Sequence, residues 1–208
     1  MTLNLDKNTT GLLLVDPYND FLSEGGILYP HIKKVSEEVN LIENLKSIVQ
    51  SCRSREIRVF FVPHRRWRKE RYENWKNYAP TQAKSRDIKL FADGEWGGEF
   101  HPSFQPQNED VIVQEHWAQS GFANTDLDML LKKFGVTKII LIGLRVNTCI
   151  ESTARFGMEL GYEVVLVKDA TAGFSWDEMN ASHDINAPTY AHHLLDTKSL
   201  LKIITGTN

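Results

Sequence analysis

The sequence predicts one α/β domain of three layers, in which a parallel β-sheet lies between two layers of helices. Short apolar runs alternate along the chain with stretches that carry apolar residues at helical spacing, and no repeat or charged linker interrupts them. A chain of 208 residues has the length of one domain, which buries about 70% of the surface of the unfolded chain. Because right-handed crossovers join strands through helices, this alternation produces a parallel sheet with helices on both faces.

The composition is that of a globular protein and excludes several classes of protein. It is 41% hydrophobic and 25% charged, and the formal net charge of -3 gives no overall attraction to nucleic acid or anionic lipid. The apolar runs are far shorter than the ~20 residues that span a membrane. The first residues lack the basic and apolar regions of a secretory signal. We expect a cytoplasmic protein that binds neither nucleic acid nor membrane.

Six apolar runs are the predicted strands. The first, residues 11–16, is continuously apolar, as expected of a strand covered on both faces, and it ends at Asp16. The second, residues 57–62, is stopped by Pro63. The remaining predicted strands are residues 110–115, 137–143, 162–167 and 200–205. Ligands bind beyond the carboxyl ends of parallel strands, so the residues at these ends are candidates for a functional site.

Three stretches between the strands are predicted helices. Residues 34–53 carry apolar residues every three or four positions, which indicates an amphipathic helix. Residues 125–134 begin at a candidate N-cap, Thr125, and residues 148–160 form the third helix. Residues 65–98 show no clear periodicity, and this basic, aromatic segment has the length of a functional insertion. We expect it to be an irregular lid or interface segment.

Cys149 is the candidate nucleophile. It follows the fourth predicted strand and opens a predicted helix, where unpaired backbone N–H groups and the helix dipole favour an anion. We therefore expect its thiol to have a lowered pKa; the alternative is an inert buried thiol. Cys52, in the first predicted helix, is expected to be structural. Asp16 can exchange a proton with a thiol, although a carboxylate before Pro17 can also be a simple turn former.

Two stretches around these residues resemble the isochorismatase-like cysteine hydrolases, a family that includes nicotinamidases, N-carbamoyl amidases and ureidoacrylate amidohydrolases. One is Leu-Leu-Val-Asp-Pro-Tyr-Asn-Asp-Phe at residues 13–21, and the other is residues 142–155, which contain Gly-Leu-Arg-Val-Asn-Thr-Cys. Residues 97–102 and 120–127 also match family patterns, and the order and spacing agree over nearly the whole chain. The resemblance implies a six-stranded parallel sheet in the order 3-2-1-4-5-6, with the first and fourth strands as neighbours.

The resemblance also implies an activity and the residues that perform it. It implies hydrolysis of an amide, carbamoyl or ureide C–N bond through a thioester, with Cys149 as nucleophile and Asp16 as general acid and base. The peptide bond before Arg145 would be cis, and the backbone N–H groups of Arg145 and Cys149 would form the oxyanion hole. No cofactor is expected, and the protein would be a homodimer or homotetramer. Two alternatives stay open: ether cleavage by Asp16 without a covalent step, and noncatalytic binding of a small molecule.

The chain departs from the family at the third catalytic residue, a lysine at the end of the third strand. Counting along that strand puts Glu115 at the position, whereas counting back from the Ser-Gly-Phe motif puts His116 there. We take Glu115 as the catalytic candidate, although a carboxylate beside Asp16 opposes thiolate formation. Three arrangements resolve the conflict: a protonated Glu115 that donates to Asp16, a charged His116, or an arginine from residues 65–71. Otherwise Glu115 caps the strand or pairs with an arginine, and the site is weak or inactive.

The last expectations concern metal and substrate. The nicotinamidase metal site uses an aspartate and closely spaced histidines after the second strand, but here one histidine, His64, stands among cations. We therefore expect no metal. The substrate pocket candidates follow converging strand ends, and their alternative role is ordinary core packing. They are Tyr18, Phe21, His116 and Trp117.

Overall fold

The computed structural model describes residues 3–206 and contains a six-stranded sheet whose strands pair in parallel. The strand order is β3-β2-β1-β4-β5-β6, so the expected fold class and order are confirmed. The strands are β1 (Thr10–Val15), β2 (Arg58–Val62), β3 (Val111–Ile112), β4 (Lys138–Leu144), β5 (Glu163–Ala172) and β6 (His193–Leu195).

Strand β1 is the central element that positions the site. All of its residues are buried, since β2 pairs with it on one side and β4 on the other. In this register Val15 lies opposite Val62 of β2 and Gly143 of β4. The strand order reverses between β1 and β4, and the residues that follow their carboxyl ends therefore share one crevice.

Helices cover both faces of the sheet. They are α1 (Asn19–Leu22), α2 (Tyr29–Glu38), α3 (Leu41–Ser54), α4 (Lys69–Tyr72), α5 (Pro80–Asp87), α6 (Leu127–Lys133), α7 (Glu151–Glu159), α8 (Trp176–Asn180) and α9 (Thr197–Thr205). On one face, Leu12 belongs to an apolar cluster with Leu45 of α3 and Leu200 of α9. On the other face, Leu13 belongs to a cluster with Leu131 of α6. Burial of both faces explains why the central strands are continuously apolar.

The prediction of a sixth strand over residues 200–205 is wrong. These residues belong to α9, and the sixth strand is the preceding segment, β6. The Asp196 side chain accepts a hydrogen bond from the backbone N–H of Ser199 at 2.7 Å and so caps the helix. A short apolar run does not distinguish a buried helix from a strand, because both bury it fully.

Other predicted elements differ in extent. The predicted helix over residues 34–53 is two helices, α2 and α3, because Asn40 between them is left-handed, with a φ of 55°. The third strand, predicted over residues 110–115, is only two residues long. The segment of residues 65–98 contains α4, α5 and a 3-10 turn, joined by irregular chain. Within residues 3–206, no helix combines the length and apolar character that crossing a membrane requires.

The N-cap of α9 provides a test of the corrected assignment. Asp196→Ala removes the hydrogen bond to Ser199, and we expect the free energy of unfolding at neutral pH to fall by about 1 kcal/mol. The hydrogen bonds from Ser199 lower the pKa of Asp196, so its contribution is complete above the unfolded pKa and is lost as the pH falls through the lower folded value. Urea unfolding at neutral and acidic pH measures both effects. Lys198→Ala is the control, and an equal loss in the control would contradict the capped helix.

Candidate active site

The crevice begins at Asp16, the residue that follows β1. Its φ of 51° is left-handed, a conformation that Asp adopts more readily than most residues, and it turns the chain away from the sheet. Its side chain is completely buried, and Oδ1 lies 3.1 Å from His116 Nε2. The other oxygen, Oδ2, has no hydrogen-bond partner among the described residues. Asp16 is therefore held through one oxygen and can use the other.

His116 reaches Asp16 because of the course of the chain beyond β3. The chain continues in extended form beside the end of β2, where the His116 backbone N–H donates to Pro63 O at 2.9 Å. In an extended chain successive side chains point to opposite sides. His116 therefore points to Asp16, and Glu115 points away. His116 makes the contact that the resemblance assigns to a lysine.

Glu115 is bound by two arginines, which corrects its expected contact with Asp16. Arg66 Nη1 lies 2.7 Å from one carboxylate oxygen, and Arg71 Nη1 lies 2.5 Å from the other. Burial raises the pKa of Glu115, but the hydrogen bonds and charges of Arg66 and Arg71 outweigh burial and hold that pKa below its usual value. Glu115 is therefore ionised and does not donate to Asp16. The two arginines are likewise committed to Glu115.

Cys149 lies in the π-type turn Val146–Ile150 that follows β4. The Leu144–Arg145 peptide bond before this turn is cis, which confirms the expected geometry. The sulfur, a carboxylate oxygen of Asp16 and a ring nitrogen of His116 lie within 4.8 Å of one another. Cys149 is 7% exposed and lines a cavity, so a small molecule can reach the sulfur.

The thiol of Cys149 is neutral in the free protein at neutral pH. Burial raises its pKa well above the usual value, and the negative charge of Asp16 raises it further. Thr148 and the backbone of Arg145 act in the opposite sense and are outweighed. The expectation of a lowered pKa is therefore wrong, because burial of the sulfur and the charge of Asp16 outweigh the hydrogen bonds that favour the thiolate. The thiol must lose its proton during a reaction, and Asp16 is the adjacent acceptor.

A second buried imidazole, His64, adds no positive charge to the site. Its Nδ1 lies 2.9 Å from Arg65 O, and its Nε2 lies 3.3 Å from Gln82 Nε2. Burial, and then the nearby His116, lower the pKa of His64 to about 4. These contacts assign a neutral ring in which Nδ1–H donates to the carbonyl and Nε2 accepts from the amide.

The sulfur opens onto a cavity of about 510 Å³. Asp16, Arg145 and Cys149 form its polar end, and Gln82 and Lys84 of α5 form part of one wall. Its apolar lining consists of Phe21, Leu28, Ile88, Leu90, Phe91, Ala118 and Phe174. An apolar cavity of this size with a few convergent polar groups is typical of a site for a small molecule.

Of the predicted pocket residues, Phe21 lines the cavity, whereas Tyr18 does not. Tyr18 is completely buried, and its ring stacks on Phe91 with ring centroids 4.5 Å apart. Its hydroxyl donates to His64 O at 2.7 Å. Tyr18 therefore joins the chain after β1 to the chain after β2 and belongs to the core that supports the cavity.

The other two predicted pocket residues also lie outside the cavity lining. Trp117 borders a separate cavity, and the guanidinium of Arg65 lies 3.3 Å from the centre of its ring. His116 is completely buried against Asp16. The walls that the sequence did not predict come from Leu28 and α2, from α5 and the chain that follows it, and from Phe174. No local pattern in the sequence places these residues beside Cys149.

The sheet and the site together define a class of enzyme. A thiol, a carboxylate and an imidazole that meet at the switch point of a parallel sheet are the groups of a cysteine-dependent hydrolase. Residues 10–197 match the family model of the isochorismatase domain. This chain therefore belongs to the isochorismatase family.

The similarity to curated relatives extends over most of the chain. The chain is 32% identical over 189 residues to the ureidoacrylate amidohydrolase RutB of Serratia proteamaculans, covering 85% of this chain and 75% of that protein. It is 29% identical over 210 residues to the ureidoacrylate amidohydrolase RutB of Acinetobacter baylyi, covering 96% of this chain and 85% of that protein.

Solved structures share the fold. A cysteine hydrolase from Pseudomonas syringae pv. phaseolicola aligns with a TM-score of 0.82 and 25% identity, covering 100% of this chain and 97% of that chain. The N-carbamoylsarcosine amidase from Thermoplasma acidophilum aligns with a TM-score of 0.66 and 22% identity, covering 91% of this chain and 96% of that chain.

The raised pKa of Cys149 predicts how its alkylation depends on pH. We expect iodoacetamide to react slowly at about pH 6 and faster as the pH rises beyond about 9, because only the thiolate reacts. Asp16→Asn removes a charge that raises this pKa, so this variant should react faster at a given pH. Peptide mapping by mass spectrometry separates Cys149 from Cys52, an internal control whose pKa burial raises to about 12. Complete, pH-independent labelling in acid would contradict a neutral thiol.

The ion pairs of Glu115 predict an effect on stability. Glu115→Ala leaves the half-buried Arg66 and Arg71 without their acceptor, and we expect the free energy of unfolding at neutral pH to fall by about 1–3 kcal/mol. The folded pKa of Glu115 is lowered, so this contribution is complete above the unfolded pKa and is lost as the pH falls through the folded value. Urea unfolding at neutral and acidic pH measures it. The control is Glu73→Ala, which removes an exposed carboxylate from the segment that carries Arg66 and Arg71. Equal effects of the two substitutions would refute the role of the ion pairs.

Proposed function

We propose that this protein is a cysteine hydrolase that cleaves an amide, carbamoyl or ureide C–N bond of a small molecule, with no metal ion taking part. The observation that carries the proposal is the meeting of Cys149, Asp16 and His116, within 4.8 Å of one another, at the polar end of the cavity. The names of the curated relatives, which are amidohydrolases, support the same bond type. The cavity volume of about 510 Å³ suits a small molecule.

The first half of the reaction forms a thioester. Asp16 takes the proton of the Cys149 thiol while the sulfur attacks the carbonyl carbon of the bound substrate. The backbone N–H groups of Arg145 and Cys149 donate to the oxygen of the tetrahedral intermediate. When the C–N bond breaks, Asp16 returns the proton to the leaving amine. The acyl group then remains on the sulfur.

The second half of the reaction releases the acyl group. A water molecule replaces the amine in the cavity, and Asp16 takes a proton from it as the oxygen attacks the thioester. Collapse of this second intermediate breaks the C–S bond, and the proton on Asp16 returns to the sulfur. The products are a carboxylic or carbamic acid and the original thiol. One carboxylate therefore acts as base and acid in both halves.

His116 acts on this reaction through Asp16. Its Nε2–H donates to Oδ1 and fixes the orientation of the carboxylate, which leaves Oδ2 to exchange protons with the thiol, the amine and water. The contact is completely buried, so water does not compete for it. His116 is a positioning residue in this proposal. Glu115 has no catalytic role in it and instead binds the segment that carries Arg66 and Arg71.

We also propose a cytoplasmic protein that assembles as a homodimer or homotetramer and binds neither nucleic acid nor membrane. Cys52 and Cys149 are free thiols, which suits a reducing compartment. Exposed apolar side chains outside the cavity, such as Ile112 and Met129, offer a surface for contact between copies. The formal net charge of -3 favours neither polyanions nor anionic lipid.

Substitution of the reacting groups tests the function. With a panel of amides, ureides and carbamoyl amines that includes ureidoacrylate and N-carbamoylsarcosine, we expect turnover by the unmodified protein, measured as amine or ammonia released. Cys149→Ala and Asp16→Asn should each lower kcat by about 1,000-fold or more. Cys52→Ala, which removes the structural thiol, is the matched control and should retain turnover.

The outcomes separate the three functions. Loss of turnover in both site variants supports covalent hydrolysis. Turnover that survives Cys149→Ala but not Asp16→Asn would indicate ether or water chemistry by the carboxylate without a covalent step. Binding of panel compounds without any turnover by the unmodified protein would indicate a noncatalytic binding protein and overturn the proposal.

A further inference from the structure

The catalytic cluster is also a set of metal ligands. Among residues 3–206, Asp16, His116 and Cys149 form the one group of three or more His, Cys, Asp or Glu side chains with ligand atoms within 4.8 Å of one another. We propose that these side chains bind a single thiophilic divalent cation, represented by Zn²⁺, and that the bound ion keeps the nucleophile inactive until it is removed.

The chemistry and spacing of the donors fit this ion. A thiolate, an imidazole and a carboxylate are the protein ligands of Zn²⁺, and three of them with one open position form a common site. Ligand atoms around a tetrahedral Zn²⁺ lie about 3.3–3.8 Å apart. His116 Nε2 and Asp16 Oδ1 are 3.1 Å apart, and the sulfur of Cys149 lies within 4.8 Å of the ligand atoms of both. The spacing of the ligand atoms is therefore close to what the ion requires, and Asp16 and Cys149 line the cavity.

Unpartnered buried atoms in the cluster are a second, independent observation. Asp16 Oδ2 and His116 Nδ1 are buried and have no hydrogen-bond partner among the described residues. Both side chains are 0% exposed. Buried polar atoms in native proteins are nearly always satisfied, so the unpartnered Oδ2 of Asp16, in the cluster itself, indicates a missing ligand. A cation bound to this carboxylate satisfies Oδ2, whereas His116 Nδ1 lies on the far side of the ring from Asp16 and gains no partner from the ion.

Protons and charges balance when the ion binds. The thiol releases one proton to solvent as the S–Zn bond forms, and a proton on His116 Nε2 leaves that nitrogen for Nδ1 or for solvent. The lone pair of Nε2 then faces the ion, and the Nε2–Asp16 hydrogen bond is exchanged for two metal–ligand bonds. The two positive charges of the ion cancel those of the thiolate and the carboxylate. The buried complex is therefore neutral, which avoids the cost of burying a net charge.

The arginines nearest to the cluster are paired with carboxylates. Arg66 and Arg71 are paired with Glu115. Arg145 lies 3.5 Å from a carboxylate oxygen of Glu178. Lys84, a further cation, lies on the wall of the cavity.

The proposed metal site depends on a histidine, His116, at the position where the resemblance implies a lysine. A lysine at this position, as the resemblance implies for the family, has an ammonium group with no lone pair and repels a cation. A ring nitrogen of His116 can present a lone pair and so supply the missing ligand. An ion on the sulfur engages the electron pair needed for attack and occupies the carboxylate that must accept the proton. The inhibitory part of this inference rests on the proposed function, whereas the binding part does not.

Direct metal binding tests the proposal. The full-length protein, freed of metal with a chelator, is titrated with Zn²⁺ alone in competition with a chromophoric chelator. We expect one ion per chain, at least one proton released per ion at neutral pH, and a near-ultraviolet thiolate charge-transfer band when Co²⁺ replaces Zn²⁺. Turnover of a substrate from the panel is measured before zinc addition, with zinc, and after chelation.

Matched variants assign the ligands. Cys149→Ser and His116→Lys should each weaken zinc binding by about 100-fold or more. Cys149→Ser should abolish the charge-transfer band, and in His116→Lys the band should no longer reach its full intensity at one equivalent of Co²⁺. His116→Gln, which keeps the size of the side chain and its hydrogen bond to Asp16, is a second variant in case the lysine does not fold. Cys52→Ser and His101→Ala remove a thiol and an imidazole outside the cluster and should leave the affinity unchanged.

Each outcome decides one part. Absence of stoichiometric binding, or binding that survives both Cys149→Ser and His116→Gln in folded protein, would overturn the site. Stoichiometric binding in a protein with full turnover would overturn inhibition alone. Binding by a protein that never turns over any substrate would support the site while the proposed function fails, so the two proposals fail separately.

Discussion

The buried hydrogen bond between His116 and Asp16 is the contact on which the whole site depends. A carboxylate taken out of water in the middle of a sheet is costly unless a donor satisfies it, and His116 is the partner that the described structure gives it. The parallel sheet makes this contact possible. Because the chain after β3, the end of β1 and the end of β4 lie side by side, imidazole, carboxylate and thiol come together across neighbouring elements.

A histidine in place of the family lysine changes the electrostatics of the crevice. An ammonium is a fixed positive charge with donors only, whereas an imidazole can be neutral and can present either a proton or a lone pair. The arginines nearest to the third strand are committed to Glu115. The hydrogen bonds from Thr148 and the backbone of Arg145 favour a thiolate, but burial and the charge of Asp16 outweigh them and raise the pKa of Cys149. In the reaction that we propose, loss of the thiol proton is therefore coupled to the attack itself.

The positions of Asp16 and Cys149 can be predicted from the sequence, because a strand end or a local motif marks each of them. The choice between Glu115 and His116 cannot be made in this way. This choice depends on which side chains of the extended segment after β3 face β1. Because β3 has only two residues, the alternation of side chains along it is too short to show which ones do. The same limit applies to residues 200–205, where an apolar run suits a helix or a strand. The cavity wall formed by α5 comes from a segment without any pattern, and only packing places it.

Burial of Cys149 explains why the same sulfur suits both the proposed reaction and the proposed metal binding. The desolvation that penalises a free thiolate does not penalise a sulfur that shares its charge, whether with a proton, with the carbonyl carbon of a substrate or with a metal ion. The low dielectric environment thus disfavours one species and favours all three of its paired forms. In the reaction and the metal site that we propose, the free oxygen of Asp16 receives the proton that the sulfur gives up or coordinates the ion that replaces this proton. The proton, the carbonyl carbon or the metal ion that reaches the sulfur therefore determines which paired form is present. His116 makes the metal-bound form possible, because its ring nitrogen can present a lone pair where a lysine ammonium can only donate.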